Sequence, residues 1–145
     1  VALLSIILAA IGIAGFIGTL LITTPLKQAF FLTLIVIPVV MACVAAGLIV
    51  FSGSLMVVVT LLVVWGLIAT SAPVGWWSWV AKVFPDDAEA GGGLMVAVIQ
   101  FSIALGATLG GIVFDTLGYE ATFIISALTL LLAAALTSWA ARTTR

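Results

Sequence analysis

The sequence contains very few charges, no histidine and a single cysteine. Of its 145 residues, four are basic and five are acidic, so that 6% are charged while 66% are hydrophobic. About a quarter of the residues of a typical soluble domain are charged, and a chain with so few cannot cover itself with a water-compatible surface. The mean hydropathy of the sequence is +1.52. The scarcity of charge therefore predicts an integral membrane protein.

The same absences exclude most kinds of chemistry. Without histidine, and with Cys43 alone inside an apolar run, the sequence offers no nucleophile–base pair, no metal-binding cluster and no disulfide framework. We therefore expect no enzyme activity, no catalytic or metal-ligating residue and no cofactor. A net charge of −1 gives no electrostatic basis for binding nucleic acid.

The uncharged runs are long enough to cross a bilayer several times. Residues 28–81 carry no charge, and as one helix they would extend about 80 Å, far beyond a hydrocarbon core of about 30 Å. The run must turn back at Phe51-Ser52-Gly53-Ser54, its one cluster of small polar residues. Backbone amides in lipid must be satisfied within the segment, so all spans should be helices. The sequence predicts an all-α membrane protein with five spans, at about 2–22, 29–50, 55–81, 92–114 and 121–141.

The basic residues predict the orientation of these spans. With five spans, Lys27, Lys82, Arg142 and Arg145 all fall on one side of the membrane, which the positive-inside rule makes the cytoplasmic side. The C-terminus is then cytoplasmic and the N-terminus lies outside. An external start, with Val rather than Met at position 1, leads us to expect that residues 1–145 form the C-terminal half-domain fragment of a longer membrane protein.

The fourth span contains the best candidate for a binding residue. At 100° per residue one face carries small residues and a single amide, Gln100, and the opposite face carries large apolar residues. An amide facing lipid would be costly, so this stripe should face protein or a water-filled cavity. Gln100 either makes a hydrogen bond between helices or contacts a substrate. The stripe consists of Gly93, Ala97, Gln100, Ala104, Ala107 and Gly111.

Two residues of the third span are weaker candidates for substrate contact. Trp65 lies near mid-membrane, where it either fills a gap between helices or stacks on a ligand, and Ser71 is a polar residue of the same span. Other spans carry seams of small residues, for which helix packing is the favoured interpretation. For the first span the alternative is that the seam lines a pore. In the first span the seam is Ser5, Ala9, Gly12, Gly15 and Thr19, and in the fifth it is Ser126, Thr129, Ala133, Thr137 and Ala140.

Four adjacent segments carry a resemblance to a known family. SAPVGWWSWV, FPDDAEA, GGGLMVAVIQ and GATLGGIVFDTLGY resemble the major facilitator superfamily, specifically the drug:proton antiporter branch with the sugar and purine-nucleoside efflux permeases. The resemblance implies that the five spans are helices eight to twelve of a twelve-helix fold. It also implies that the first, third and fourth spans line a midplane substrate cavity, and that the second and fifth face lipid.

The function that this resemblance implies is transport of a small organic solute by alternating access, as proton-coupled efflux across the plasma (inner) membrane. The partners would be the lipid bilayer, the missing N-terminal half of the protein, the solute and protons. The alternative is a non-transporting membrane subunit whose seams of small residues pack against partner helices.

Overall fold

The protein is built from helices, as the sequence predicts. A computed structural model describes residues 2–143, in which helices α1 to α5 span Ala2–Leu21, Thr23–Gln28, Phe30–Val50, Leu55–Val83 and Ala88–Thr143. Four helical stretches in this range are long and apolar enough to cross a membrane, the first being α1 and α2 together. These helices confirm the prediction of an all-α protein with helices that can span a membrane.

The number of separate spanning helices differs from the predicted five. The first three predicted spans correspond to α1, α3 and α4, whereas the fourth and fifth both lie within α5. The predicted loop at 115–120 is helical except at Gly118, whose φ of 82° and ψ of −178° break the helix. Only glycine adopts this conformation readily, because it has no Cβ. One residue therefore interrupts the helix where we expected a loop of six.

The first predicted loop is also helical. Backbone hydrogen bonds continue through it, from the Ile22 amide to the Gly18 carbonyl (3.0 Å) and from the Leu26 amide to the Ile22 carbonyl (3.1 Å). Pro25 has no amide proton to donate one turn back, and the break between α1 and α2 lies within that turn. At Phe51-Ser52-Gly53 the chain turns as predicted, since α3 ends at Val50 and α4 begins at Leu55.

The chain divides into two compact units. The first comprises Val1–Gly75 and Phe123–Arg145, and the second comprises Trp76–Thr122. Within the first unit, α3 has a buried and an exposed side. Its buried residues are Leu34, Ile37, Pro38, Met41, Ala42, Val44, Ala45 and Leu48. Its exposed residues are Leu32, Val36, Val39, Cys43, Ala46 and Val50.

Helices α1 and α4 approach each other closely where both carry glycine. A methyl group built on Gly18 would lie 2.8 Å from the carbonyl carbon of Leu67, and one on Gly66 would lie 2.7 Å from the carbonyl oxygen of Ile11. Lipid provides no hydrophobic force that drives helices together, so close van der Waals packing between small residues holds them. Of the small residues predicted to pack in the first span, Gly15 is buried, whereas Ser5, Ala9 and Gly12 are exposed. The other buried residues of α1 are Ala14 and Gly18, which were not part of the predicted seam.

A further glycine of α4 makes room for two leucines. A methyl group on Gly75 would lie 2.6 Å from Cδ2 of Leu34 and 3.5 Å from Cδ2 of Leu26. Leu34, on α3, is fully buried, and Leu26, on α2, is nearly so. Gly75 therefore allows the side chains of α2 and α3 to pack directly on the backbone of α4.

In the second unit the end of α4 packs on the start of α5. A methyl group on Gly92 would lie 2.9 Å from the ring of Trp77, and one on Gly91 would lie 3.1 Å from Val80 and 3.3 Å from Phe84. The rings of Trp76 and Trp79 are stacked, with centroids 5.5 Å apart. The glycines at 91 and 92 thus let the aromatic end of α4 contact the backbone of α5.

Candidate functional site

Two of the predicted site residues lie in the first unit, on α4. Ser71 is 3% exposed, and its hydroxyl donates a hydrogen bond of 2.7 Å to the carbonyl oxygen of Ile68. Trp65 is half-buried. They are six positions apart, which on a helix places them about 9 Å apart along the axis and about 120° apart around it. The two residues therefore do not face a common site.

The third predicted residue, Gln100, lies in the second unit and is exposed. The whole predicted stripe from Gly93 to Gly111 is exposed, and so are large residues of the opposite face, such as Leu94 and Phe101. Within this unit the central part of the predicted fourth span therefore has no face covered by protein, as far as the described residues extend. Gln100 therefore belongs to a different unit from Trp65 and Ser71.

The first unit contains a groove that the sequence analysis did not find. Its volume of about 400 Å³ is within the range of small-molecule pockets. Four helices line it. The end of α1 contributes Gly18 and Leu21, the break between α1 and α2 contributes Ile22, and α2 contributes Pro25 and Gln28. Ala29 and the helix α3 contribute Leu32, Thr33, Val36, Ile37 and Val40, and α4 contributes Leu67, Ile68 and Ser71.

The polar side chains of this groove are mostly bonded to the backbone. The Thr33 hydroxyl lies 2.8 Å from the carbonyl oxygen of Ala29 and 3.1 Å from that of Pro25. Ser71 is bonded to Ile68, and among the described residues no buried side-chain nitrogen or oxygen lacks a partner. The amide of Gln28, which is exposed, is the polar group that remains at one end of an apolar groove.

The charges of the two units differ. In the first unit the sequence supplies Lys27 and arginines near the C-terminus but no aspartate or glutamate, whereas all five acidic residues belong to the second unit. Asp86, Asp87 and Glu89 lie around the start of α5 and are exposed. Across residues 2–143, His, Cys, Asp and Glu side chains form no group of three that could hold a metal ion.

The signals that could have revealed the groove are weak in the sequence. Ala29 leaves space because its side chain is small, and the polar segment TTPLKQ marks one end. Neither signal predicts which helices meet there. Polarity is what marks Gln100 and Ser71 as candidates in the sequence, whereas small and apolar residues define the groove.

Comparison with known proteins identifies relatives of two descriptions. The chain is 61% identical, over 95% of its length, to a protein of Pseudomonas aeruginosa named transcription regulatory protein OpdE. It is 35% identical, over 92% of its length, to the purine ribonucleoside efflux pump NepI of Escherichia coli K12 and to its namesake in Shigella flexneri. The chain spans about a third of the length of each of these relatives.

No family model matches the chain, and no solved structure matches it. The similarity to an efflux pump agrees with helices that can cross a membrane. Together they support an integral membrane protein that contacts the lipid bilayer.

Proposed function

We propose that this chain is the C-terminal part of a secondary transporter of the major facilitator superfamily, which exports a small organic solute in exchange for protons. The observation that carries the proposal is the similarity to the purine ribonucleoside efflux pump over 92% of the chain. The spanning helices and the absence of any group for catalysis in the sequence are consistent with it, and the proposal includes no enzyme activity.

In the proposed arrangement the chain crosses the plasma (inner) membrane five times. Gly118 separates the fourth and fifth crossings, since its backbone departs from helical geometry between two apolar segments. Lys27, Lys82 and Arg142 each lie in the last turn of a helix, where a positive charge complements the helix dipole. With five crossings these ends share one side, so the C-terminus is cytoplasmic.

Gln100 is the residue that we propose to contact the solute. The amide is exposed, and the missing N-terminal half would cover the stripe on which it lies, across a cavity at the membrane midplane. Trp65 and Ser71 are weaker candidates. Ser71 in particular already uses its hydroxyl in a bond to the backbone, so its contribution to solute binding should be small.

The transport proposal is tested with the full-length gene product in inverted membrane vesicles. We expect accumulation of a radiolabelled purine ribonucleoside when the vesicle interior is acidified, and none after a protonophore collapses the gradient. Accumulation that is independent of the pH gradient would contradict proton coupling. Absence of transport for every nucleoside and sugar tried, in vesicles that contain folded protein, would contradict the efflux assignment.

The role of Gln100 is tested in the same vesicles. Replacing Gln100 with alanine should weaken solute binding up to about tenfold, since a hydrogen bond contributes about 0.5–1.5 kcal/mol. The matched control is Ser102→Ala, which removes a neighbouring exposed polar group about 200° away around the helix. If both variants bind solute as the unaltered protein does, Gln100 is a packing residue.

A regulatory role is the second candidate function, because the relative with 61% identity is named a transcription regulatory protein. This chain carries no cluster of basic residues in its sequence, so any such role would not involve DNA contact by this segment. A non-transporting membrane subunit would fit that role. Transcript levels that change on gene deletion and are restored by a transport-inactive variant would favour regulation over transport.

A further inference from the structure

The groove of the first unit has the length of one membrane leaflet. It follows one face of the chain from Ala29 to Val40. The eleven steps between these two residues rise about 16 Å in a helix. The hydrocarbon core of a bilayer is about 30 Å thick, so one leaflet occupies about half of it. Val40 is the middle residue of α3, which spans Phe30–Val50, so the groove ends near the centre of the membrane.

The other end of the groove lies at the membrane surface. Helix α2 has the sequence TTPLKQ, and Thr23, Thr24, Lys27 and Gln28 are all exposed. A polar segment that follows a spanning helix belongs at the level of the lipid headgroups, where lysine can reach water and phosphate. The groove therefore extends from the headgroup level to the bilayer centre and opens beside exposed Leu32 and Val36.

The lining of the groove suits an apolar occupant better than a polar solute. The hydroxyls of Thr33 and Ser71 are both engaged with backbone carbonyls, and the other residues below Gln28 are apolar. A nucleoside placed there would lose its hydrogen bonds to water without replacement, which is costly. A hydrocarbon chain has no hydrogen bonds to lose, and it packs against the apolar lining through van der Waals contacts.

The positive charge of Lys27 near the groove favours a lipid with an anionic headgroup. Lys27 is exposed next to Gln28 at the surface end, and the first unit has no acidic residue to pair with it. We propose that this groove binds one acyl chain of an anionic phospholipid, whose headgroup phosphate contacts Lys27 and Gln28. The proposal goes beyond transport and does not depend on it, since it requires only that the unit lies in a bilayer.

The headgroup part of the proposal is tested by native mass spectrometry of the full-length protein. Phosphatidylglycerol and phosphatidylcholine with identical acyl chains are titrated against it, and we expect about fivefold tighter binding of one phosphatidylglycerol, the effect of one lysine near an anionic surface. Lys27→Gln should remove this preference and Lys27→Arg should keep it. Equal binding of the two lipids by the unaltered protein would overturn the proposal.

The groove itself is tested with two tryptophan substitutions on α3. Val36→Trp fills the groove, whereas Val39→Trp places the same side chain at an exposed position outside it. We expect the first variant to lose the bound lipid and the second to retain it. Retention of the same lipid by both variants would refute the site.

Two other occupants would give different results in these experiments. A second protein copy would appear as a dimer without lipid, which Val36→Trp dissociates. A transported solute in the groove would compete with the bound phosphatidylglycerol when the purine ribonucleoside is added. Either result would overturn the assignment to lipid, and neither depends on whether transport itself is detected.

Discussion

The close contact between α1 and α4 predicts that Gly18 cannot be replaced even by alanine. A methyl group on Gly18 would lie 2.8 Å from the carbonyl carbon of Leu67 and 3.1 Å from its Cα, and it would lie even closer to the Leu67 carbonyl oxygen. Ordinary van der Waals contact begins at 3.4 Å. All three atoms belong to the backbone, so no change of rotamer relieves the overlap. The helices must instead move apart by about half an ångström or more, which loses a quarter to a half of the attraction of each affected contact.

The expected cost of Gly18→Ala is about 1–3 kcal/mol, as for other substitutions that overfill a packed interior. Alanine is favoured over glycine within a helix by about 1 kcal/mol, which partly offsets this cost. Gly12→Ala is the matched control, because it has the same helix and the same propensity gain, and nothing described lies within 4 Å of the added methyl group. We therefore expect Gly12→Ala to be neutral or stabilising.

The two variants are compared by reversible unfolding of the full-length protein in mixed detergent micelles, followed by circular dichroism. Gly66→Ala, whose methyl group would lie 2.7 Å from Ile11, should behave like Gly18→Ala. If Gly18→Ala and Gly12→Ala unfold at the same denaturant concentration, the close approach of α1 and α4 does not exist in the membrane protein.

Two further predictions concern the breaks between helices and the orientation in the membrane. Gly118→Ala should destabilise the protein by about 1–3 kcal/mol, because a φ of 82° is strained for alanine. The control Gly110→Ala, in the same helix, should not destabilise it. If both variants unfold at the same denaturant concentration, Gly118 is helical. In a Cys43→Ser background, cysteines introduced at Lys27 and Ser52 should react with a membrane-impermeant maleimide from opposite sides of sealed vesicles, and labelling of both from one side would contradict the proposed crossings.

The positions of the helices were predictable because they follow from two lengths. These are the helical length of an uncharged run and the thickness of the bilayer. Residues 28–81 as one helix would be longer than the bilayer is thick, so the run must turn, and the sequence favours a turn only at Phe51-Ser52-Gly53-Ser54. The structure turns there. The break at Gly118 was predicted as a loop of six residues, since charge and polarity mark where a span ends but do not show how few residues a break requires.

The faces along which helices pack were predictable only approximately. In α1 the spacing of small residues predicts a packing seam that includes Gly12 and Thr19, whereas the buried residues are Ala14, Gly15 and Gly18. In the fifth predicted span Thr137 is buried as expected, but Thr129 is exposed. Small residues occur on more than one side of these helices, and the choice among them depends on which partner helix approaches, which a single sequence does not specify.

The groove could not be predicted, because its polarity is determined by hydrogen bonds that form only in the folded chain. Thr33 and Ser71 are polar in the sequence, and Ser71 was chosen as a binding candidate for that reason. In the structure each hydroxyl donates to a carbonyl of its own or the preceding helix, so the surface that remains is apolar. Residue type therefore indicated solute binding at a place where the folded geometry favours an acyl chain.

Lipid can cover only part of the exposed helix that carries Gln100. Leu94, Phe101 and Leu105 are exposed and match a hydrocarbon environment without cost. The opposite side exposes Gln100 among alanines and glycines, and an unpaired amide in hydrocarbon costs several kcal/mol. Within the second unit no described residue covers that side, and in the proposed transporter a further membrane domain lies opposite it, across a water-filled cavity. The transport proposal therefore depends on what covers Gln100, and a cysteine at position 100 that stays unreactive to every water-soluble thiol reagent in the full-length protein would exclude the cavity.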